Sequence, residues 1–123
     1  PLDLFQNTTP IYIQIMALLK KQIATQVLSP GQLLDPVREM AMTYQVNPNT
    51  VQRALSELER EGLLRSERTA GRFVTEDVAL IQALHQTLFN DATTVYIEAV
   101  TALHIDKESV ITAVKDRLKG ENT

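Results

Sequence analysis

Asn47-Pro48-Asn49-Thr50 combines a helix-starting signal with polar side chains that can form hydrogen bonds to another molecule. An asparagine caps a helix N-terminus well, and a proline fits the first turn because its missing N–H is not needed there. Asn49 and Thr50 then project from that turn, with Gln52 and Arg53 just behind them. Glutamine pairs in two places with adenine, arginine binds guanine or a phosphate, and the N–H groups of a helix start attract a phosphate. This chemistry predicts a helix whose first turn contacts DNA.

The same four residues also have a simpler interpretation. Asn-Pro-Asn-Thr can be a good helix cap and no more, and Arg53 can be a solvated charge. The surrounding elements decide between the two interpretations, because a helix that reads DNA needs other helices to hold it. An ordered series of helix, helix, turn, helix and hairpin favours the DNA-contacting interpretation.

Two helices are expected ahead of this segment. Apolar residues recur at helical spacing from Pro10 to Val27, with Thr9 as the expected cap and Pro10 as the first helical residue. Leu28-Ser29-Pro30-Gly31 ends that pattern, and a second short helix is expected after Asp35-Pro36, with the aspartate as its cap. The residues expected to face the core from these two helices are Ile11, Ile15, Leu18, Leu19, Ile23, Val37, Met40, Ala41 and Tyr44.

A third helix and a β-hairpin complete this pattern. The helix is expected from Pro48 to near Gly62, after a tight connection at Val46-Asn47. Leu63–Glu67 and Arg72–Thr75 are strand-like segments around the turn Arg68-Thr69-Ala70-Gly71. Three helices followed by a hairpin are the layout of a winged helix-turn-helix. The residues of the third helix expected to face the core are Val51, Ala54, Leu55 and Leu58.

The last third of the chain returns to a helical period. A helical segment is expected from Glu76 onwards, and Asn90-Asp91 is expected to kink or divide it. A final helix is expected to be capped by Asp106 and to end before Gly120. The residues expected to be inward-facing in this part are Val78, Ile81, Leu84, Leu88, Ala92, Val95, Ala99, Leu103, Val110, Ile111, Val114 and Leu118.

The long apolar stripe of this tail predicts how the chain is organised. A lone helix with such a stripe would expose much apolar surface, and packing against the last helix and a second copy would remove it from water. The alternative is that the stripe packs back on the same chain. The expected domains are a winged helix-turn-helix DNA-binding domain at residues 1–75 and a C-terminal helical dimerisation region at residues 76–123.

Five segments in order resemble the DNA-binding domain of the GntR family of transcription regulators. They are PIYIQIMALLKKQI, LSPGQLL, VREMA, VNPNTVQRALSELEREGLL and GRFV, and they span residues 10–75. The most specific part is VNPNTV-RAL-ELEREGLL. The short helical tail is similar to the YtrA-type branch, in which C-terminal helices form the dimer. The resemblance thus implies a mainly α fold with a small β-hairpin, and it favours dimerisation over packing within one chain.

The resemblance implies DNA-contacting roles for residues at the matching positions. Arg38 of VREMA is similar to the arginine that holds the DNA backbone or a base near the second helix. The alternative for Arg38 is a surface ion pair with Glu39 or another carboxylate. Arg65 and Arg68 either serve the wing or keep it soluble. The implied DNA-binding residues are Arg38, Asn47, Asn49, Thr50, Gln52, Arg53, Gly71 and Arg72.

The chain departs from the family pattern at two places. The family has Leu-Pro-Ser before its second helix, whereas this chain has Leu34-Asp35-Pro36. Asp35 puts a negative charge where a hydroxyl often meets phosphate, which is expected to weaken binding or change its position on the backbone. The wing tip of the family carries Gly-x-Gly, and here it is Thr69-Ala70-Gly71, so only one position keeps the conformational freedom of glycine.

Composition restricts the class of protein further. The net charge is −3, but residues 1–75 carry a charge of +1 and residues 76–123 carry −4, so a basic face remains possible in the first part. No apolar run is long enough to span a bilayer, and the first residues show no secretory signal. The chain has no cysteine, which suits a reducing cytoplasm and removes thiol catalysis.

The function implied by the resemblance is sequence-specific regulation of transcription. A dimeric repressor is expected, bound to a palindromic operator whose half-sites lie about 10 bp apart or a multiple of that. YtrA-type proteins often govern transport genes, and a small-molecule effector is expected but not identified by the residues. The alternative is a winged-helix protein-interaction module without DNA binding.

An enzyme is not expected. The sequence has no phosphate-cradling glycine loop and no close catalytic grouping of Ser, His and Asp or of paired carboxylates. His85 and His104 stand nineteen positions apart, and neither belongs to a metal-ligand cluster. No metal and no cofactor are therefore expected.

Overall fold

A computed structural model of the chain describes residue 5 and residues 7–121. The chain divides into two compact units, residues 1–86 and 87–123, and the division falls within a long helix. The first unit has three helices followed by a hairpin, so the predicted winged helix-turn-helix is confirmed. The elements in order are α1 (Ile11–Ala24), α2 (Val37–Tyr44), α3 (Pro48–Arg60), β1 (Leu64–Glu67), β2 (Gly71–Val74), α4 (Val78–Ala102) and α5 (Lys107–Glu121).

Two of the predicted helix caps are wrong. Pro10 and Pro36 occupy the cap positions of α1 and α2, and neither helix start receives a side-chain hydrogen bond. Thr9 and Asp35 therefore do not cap these helices. A proline fixes its own φ and has no N–H, so it fits directly before a helix as well as in the first turn.

The other two predicted caps, Asn47 and Asp106, are confirmed. The cap of α4 was not predicted. The N–H of Asn49 donates to Oδ1 of Asn47 at 2.7 Å at the start of α3. At the start of α5, Asp106 accepts from the hydroxyl of Ser109 at 2.7 Å and from its N–H at 3.2 Å. The side-chain bond contributes most to holding the pKa of Asp106 below its ordinary value. Asp77 caps α4 in the same way, accepting a backbone N–H at 3.1 Å.

The core of the first unit lies where α1 and α2 pack on α3 and where the hairpin follows α3. All four residues predicted to face inward from α3 are buried. Four of those predicted for α1 and α2 are only half-buried, namely Ile11, Leu18, Val37 and Tyr44. The buried core is formed by Ile15, Leu19, Ile23, Leu34, Met40, Ala41, Val51, Ala54, Leu55, Leu58, Leu63, Leu64, Val74 and Ile81.

The hairpin carries an additional short strand pairing that the sequence pattern did not predict. β1 and β2 pair antiparallel along their full length. On the other side of β2, Leu33 forms an isolated bridge with Phe73. The N–H of Leu34 donates to the carbonyl of Arg72 at 2.9 Å, and the side chains of Leu34 and Val74 are buried. The wing is thereby tied to the segment that leads into α2.

The second unit consists of the later part of α4 and of α5. α4 continues through Asn90-Asp91, so these residues do not divide the helix. His104 has a left-handed conformation, with φ 59°, in the turn between the two helices. α5 continues through Gly120, so its predicted end was wrong. No helix in the described part of the chain has the length and apolarity that crossing a membrane requires.

Most apolar residues of this second unit are exposed in the single chain. Val95 is 68% exposed and Leu118 is 58% exposed. An open apolar groove of about 570 Å³ runs between α4 and α5. Burying this surface requires atoms that the unit itself does not supply. The side chains that line the groove include Phe89, Tyr96, Ile97, Ile111, Val114 and Leu118.

Candidate nucleic-acid interface

α3 separates an apolar face from a polar one. The helical repeat places Val51, Ala54, Leu55 and Leu58 on the buried side. Positions three and four residues apart share a face, so Asn49, Gln52, Arg53 and Ser56 form the opposite, exposed side. The polar face is therefore held rigidly by a buried one, as a surface that reads another molecule requires.

The first turn of α3 uses Asn47 as a structural group. Its side-chain oxygen accepts from Asn49, and its backbone carbonyl accepts from the N–H of Thr50 at 2.9 Å. The side-chain oxygen of Asn47 is thus engaged within the chain. Thr50 is half-buried, whereas Asn49 is exposed. Of the predicted contact residues at this turn, Asn47 stabilises the helix start, whereas Asn49 and Thr50 lie in the helix itself.

The turn between α2 and α3 depends on an unpredicted backbone conformation at Gln45. This residue has φ 57° and ψ 48°, which is left-handed. The N–H of the next residue, Val46, then donates to the carbonyl of Ala41 at 3.0 Å and closes the end of α2. Glycine and asparagine are the usual signals for this conformation, so the glutamine at position 45 did not indicate a left-handed turn. This turn sets the direction in which α3 begins.

Arg53 is held against α1 by Tyr12. Its guanidinium carbon lies 3.8 Å from the centre of the tyrosine ring. One terminal nitrogen of the guanidinium also donates to the tyrosine hydroxyl at 3.2 Å. The two residues stand 41 positions apart, and no local pattern pointed to Tyr12. Arg53 remains exposed, so it is a positioned cation on the polar face of α3.

Arg38 lies exposed in the first turn of α2. Among the residues that the structure describes, its side chain takes part in no ion pair, so the alternative pairing with Glu39 is not formed. Gln52 is also exposed, and its side-chain amide approaches the hydroxyl of Ser56 at 3.4 Å. Such a long hydrogen bond is weak and easily exchanged for another partner.

Arg72 of the wing is paired with a carboxylate of α3. Its Nε donates to Oε1 of Glu59 at 3.0 Å, and the arginine side chain is only 17% exposed. The hydroxyl of Ser66 donates to the same oxygen at 2.8 Å. These two hydrogen bonds, that from Arg72 first, hold the pKa of Glu59 below its ordinary value. The pair fixes the wing to α3.

The remaining wing residues divide into a tethered strand and an open tip. Arg65 pairs with Glu67 at 2.7 Å and lies over the ring of Phe73, so it is engaged within the wing. Arg68 is exposed at the tip. Gly71 follows with φ 115°, a conformation that side chains rarely adopt, which explains the glycine at this position.

Asp35 lies exposed ahead of α2, beside Tyr44. Burial raises the pKa of the Tyr44 hydroxyl, and the negative charge of Asp35 raises it further. The tyrosine therefore stays neutral, and no lysine or arginine among the described residues forms an ion pair with Asp35. Within the described residues, no group of three or more His, Cys, Asp or Glu could hold a metal ion.

The sequence of this chain is similar to those of transcription regulators. Residues 11–74 match the family described as bacterial regulatory proteins, gntR family. The chain is 34% identical to the uncharacterized HTH-type transcriptional regulator YhcF of Bacillus subtilis over 116 residues, which cover 94% of this chain and 96% of that protein. It is 40% identical over 72 residues to the HTH-type transcriptional repressor YtrA of the same organism, covering 58% of this chain and 55% of that protein.

Solved structures agree with the sequence matches. A GntR family transcriptional regulator from Listeria monocytogenes has a TM-score of 0.85 at 36% identity, covering 91% of this chain and 98% of the other. AraR(DBD) in complex with operator ORX1 has a TM-score of 0.55 at 27% identity, covering 58% of this chain and 93% of the other. The similarity to the Listeria protein extends well beyond the winged helix-turn-helix.

Proposed function

The chain belongs to the gntR family of bacterial regulatory proteins, which are DNA-binding transcription regulators, and we propose that it acts as a homodimeric repressor on a palindromic operator. The predicted resemblance to this family and to YtrA-like repressors is confirmed. The alternative of a protein-interaction module has no support among these relatives. Repression is proposed because the YtrA relative is named a repressor. The proposed location is the cytoplasm, because that is where bacterial DNA lies.

The exposed polar face of α3 is the observation that carries this proposal. Asn49 and Gln52 are exposed on a helix whose opposite face is fully buried, and they are suited to base edges in the major groove. Arg53, also on α3, and Arg38, at the start of α2, are exposed cations suited to phosphates. The half-buried Thr50 is proposed as a hydroxyl donor to the backbone beside them.

The wing is proposed to contribute through its backbone and one partly engaged arginine. Arg72 uses Nε for Glu59, which leaves its two terminal amino groups as donors to DNA. Gly71 lets the hairpin turn tightly, so the backbone approaches DNA without a side chain between them. Asn47 is proposed to act mainly by starting α3, since its oxygen is already occupied.

Homodimerisation is proposed from the surface of the second unit. Its groove and flanking apolar side chains are exposed in the single chain, and a second copy would remove them from water. A two-fold dimer also presents two α3 helices to two half-sites of a palindrome. We propose the winged DNA-binding domain at residues 1–75 and the dimerisation region at residues 76–123, as the sequence predicts.

The salt dependence of DNA binding tests the proposed function. The duplex is one that the full chain enriches from a random pool, and affinity is measured by fluorescence anisotropy between about 50 and 200 mM salt. The wild type is expected to bind with a steep negative slope of log K against log salt. An Arg38→Ala, Arg53→Ala double variant is expected to lose about 2 units of that slope per subunit.

Lys107→Ala is the matched control, because it also removes an exposed cation. Lys107 is the first residue of α5, where a positive charge is unfavourable to the helix dipole, so its loss does not weaken the fold. Its slope is expected to equal that of the wild type. Binding that is independent of salt and unchanged in the double variant contradicts the proposal.

A further inference from the structure

Tyr12 and Arg53 contact each other on the surface of the first unit. An arginine that binds a phosphate by itself does not require such a contact. The guanidinium is 3.8 Å from the ring centre and within 3.2 Å of the hydroxyl. The tyrosine is half-buried in the first turn of α1, and the arginine is exposed on α3. A group anchored in one helix therefore fixes the charged end of a side chain from another.

The contact prepares Arg53 to bind an anion. An arginine on its long stem normally loses rotamer freedom when it binds, and a side chain already held in place loses less. Stacking on an aromatic face leaves the edge of the guanidinium available for hydrogen bonds. Arg53 is thus arranged for binding before any ligand arrives.

The donors that remain point to a phosphate as the ligand. A guanidinium has five N–H groups, and Tyr12 accepts one of them. Since the tyrosine oxygen acts as the acceptor, its own O–H remains a donor. In the described part of the chain, no carboxylate forms an ion pair with Arg53. A cation and a hydroxyl donor side by side match the several acceptor oxygens of one phosphate.

The start of α1 adds to the same electrostatic preference. No side chain caps this helix, and its first turn contains no acidic residue. The partial positive charge of a helix N-terminus therefore lies at the turn that carries Tyr12. This contribution is supplementary, and the paired side chains define the site.

We propose that Tyr12 and Arg53 bind one phosphate of the DNA backbone together. Arg53 supplies the charge, and Tyr12 positions the guanidinium and donates its own hydroxyl. The inference rests on the proposed DNA-binding function. Arg53 is four residues after Asn49 and adjacent to Gln52, so a phosphate fixed at this point sets the depth at which those two side chains enter the groove.

A double-mutant cycle tests this pair on the duplex enriched by the wild-type chain. The proteins compared are the wild type, Tyr12→Leu, Arg53→Ala and the double variant, each in the full chain. Arg53→Ala is expected to weaken binding about tenfold and to reduce the salt slope by about 1 per subunit. Tyr12→Leu is expected to weaken binding by several-fold in the wild-type background and by clearly less in the Arg53→Ala background, where only the hydrogen bond of the tyrosine hydroxyl is lost.

Two conservative variants separate positioning from packing. Tyr12→Phe keeps the ring and removes the hydroxyl, so it is expected to retain the salt slope and lose about threefold in affinity. Arg53→Lys keeps the charge without the planar stack, so it is expected to retain most of the slope but not the affinity. In the free wild-type protein, the Arg53 Nε–H proton is expected to show an upfield ring-current shift in the NMR spectrum that Tyr12→Leu removes.

The outcomes distinguish this inference from the function on which it rests. Absence of salt-dependent binding by the wild type overturns the proposed function itself. Normal wild-type binding together with equal costs of Tyr12→Leu in both backgrounds overturns only the shared phosphate site, because the tyrosine then acts through packing alone. An unshifted Arg53 Nε–H signal in the wild type also overturns it.

Discussion

The two units of this chain differ in the exposure of their apolar residues. In the first unit, Ile15 and Leu58 are 0% exposed and sit between helices of the same chain. In the second, Val95 is 68% exposed and Leu118 is 58% exposed on helices with no further layer of their own. The first unit thus completes its core alone, whereas the second presents an apolar surface that another copy is proposed to cover.

This difference also separates two tasks. The helix proposed to read DNA, α3, has to be rigid before it binds, and its buried face supplies that rigidity. A dimerisation surface has to stay uncovered until the second copy arrives. Substitutions in the first unit are therefore expected to change stability, and substitutions in the second unit are expected to change association.

The largest effect is expected from a core leucine of the first unit. Leu55→Ala is expected to lower the free energy of unfolding by about 2–5 kcal/mol, because it leaves a cavity in a closed core. The measurement is urea denaturation at a concentration where the chain is monomeric. Leu118→Ala, an equally sized change at an exposed position, is expected to cost less than about 0.5 kcal/mol there. Equal costs at the two positions would remove the contrast between the units.

The next effect concerns self-association through the groove. Val114→Asp places a carboxylate among the apolar side chains of the groove, so it is expected to weaken the dimer at least about 100-fold. Sedimentation equilibrium measures the dissociation constant. Thr112→Asp adds the same charge at an exposed position of α5 outside that lining and is expected to have much less effect. A wild type that stays monomeric at high concentration contradicts the proposed dimer.

The cap of α3 is expected to contribute a smaller amount. Asn47→Ala removes the acceptor for the N–H of Asn49 and is expected to destabilise the first unit by about 1 kcal/mol. Asn47→Asp keeps the acceptor and is expected to retain most of the stability. Thermal unfolding followed by circular dichroism measures both variants. A fully stable Asn47→Ala variant would show that the cap does not stabilise the start of α3.

Each unit also has a turn with a left-handed residue that is not glycine. Gln45→Gly relieves the conformation at φ 57°, and it is expected to stabilise the first unit by up to about 1 kcal/mol. His104→Gly, at φ 59°, is the corresponding change in the second unit. Because only the first unit has a closed core, the gain in the unfolding free energy of the monomer is expected for Gln45→Gly. A larger gain in unfolding free energy for His104→Gly than for Gln45→Gly would contradict the proposed difference between the two units.

The smallest effect is expected from the acid titration of Glu59. Its pKa is held below the ordinary value of 4.5, chiefly by the hydrogen bond from Arg72. A lowered carboxyl pKa stabilises the fold above that ordinary value, and the contribution disappears as the pH falls through the folded-state pKa. Solvent screening keeps it below about 1 kcal/mol, since the side chain is 36% exposed.

Glu59→Gln is the control for this titration. The variant is expected to be less stable than the wild type at neutral pH and equally stable at the lowest pH at which both fold. Denaturation midpoints between pH 3 and 7 measure the difference. A difference that does not change with pH would show that the Glu59 charge contributes nothing.

Much of the first unit could be predicted because its signals are local. The inward positions of α3 follow from helical spacing, and Asn47-Pro48 marks the helix start by its residue types. Thr9 and Asp35 were predicted as caps by the same rules, but the prolines after them occupy the cap positions instead. Residue type alone does not distinguish a proline before a helix from one inside it.

The rest could not be predicted because it depends on contacts between distant parts of the chain. Tyr12 meets Arg53 only after α1 packs on α3, and Glu59 meets Arg72 only after the hairpin folds. Arg72 was predicted as a DNA contact without any sign that a carboxylate engages it. In the second unit, apolar spacing predicted the helices but could not tell burial within one chain from burial between two.

The most direct test of the whole account is selection of DNA from a random pool by the full chain, repeated with Gln52→Ala. We expect enrichment of palindromes whose half-sites lie about 10 bp apart or a multiple of it. We also expect Gln52→Ala to relax the base preference at symmetry-related positions of both half-sites. Enrichment of no sequence, of sites without two-fold symmetry, or of the same bases by both proteins would contradict a dimer that reads DNA with the exposed face of α3.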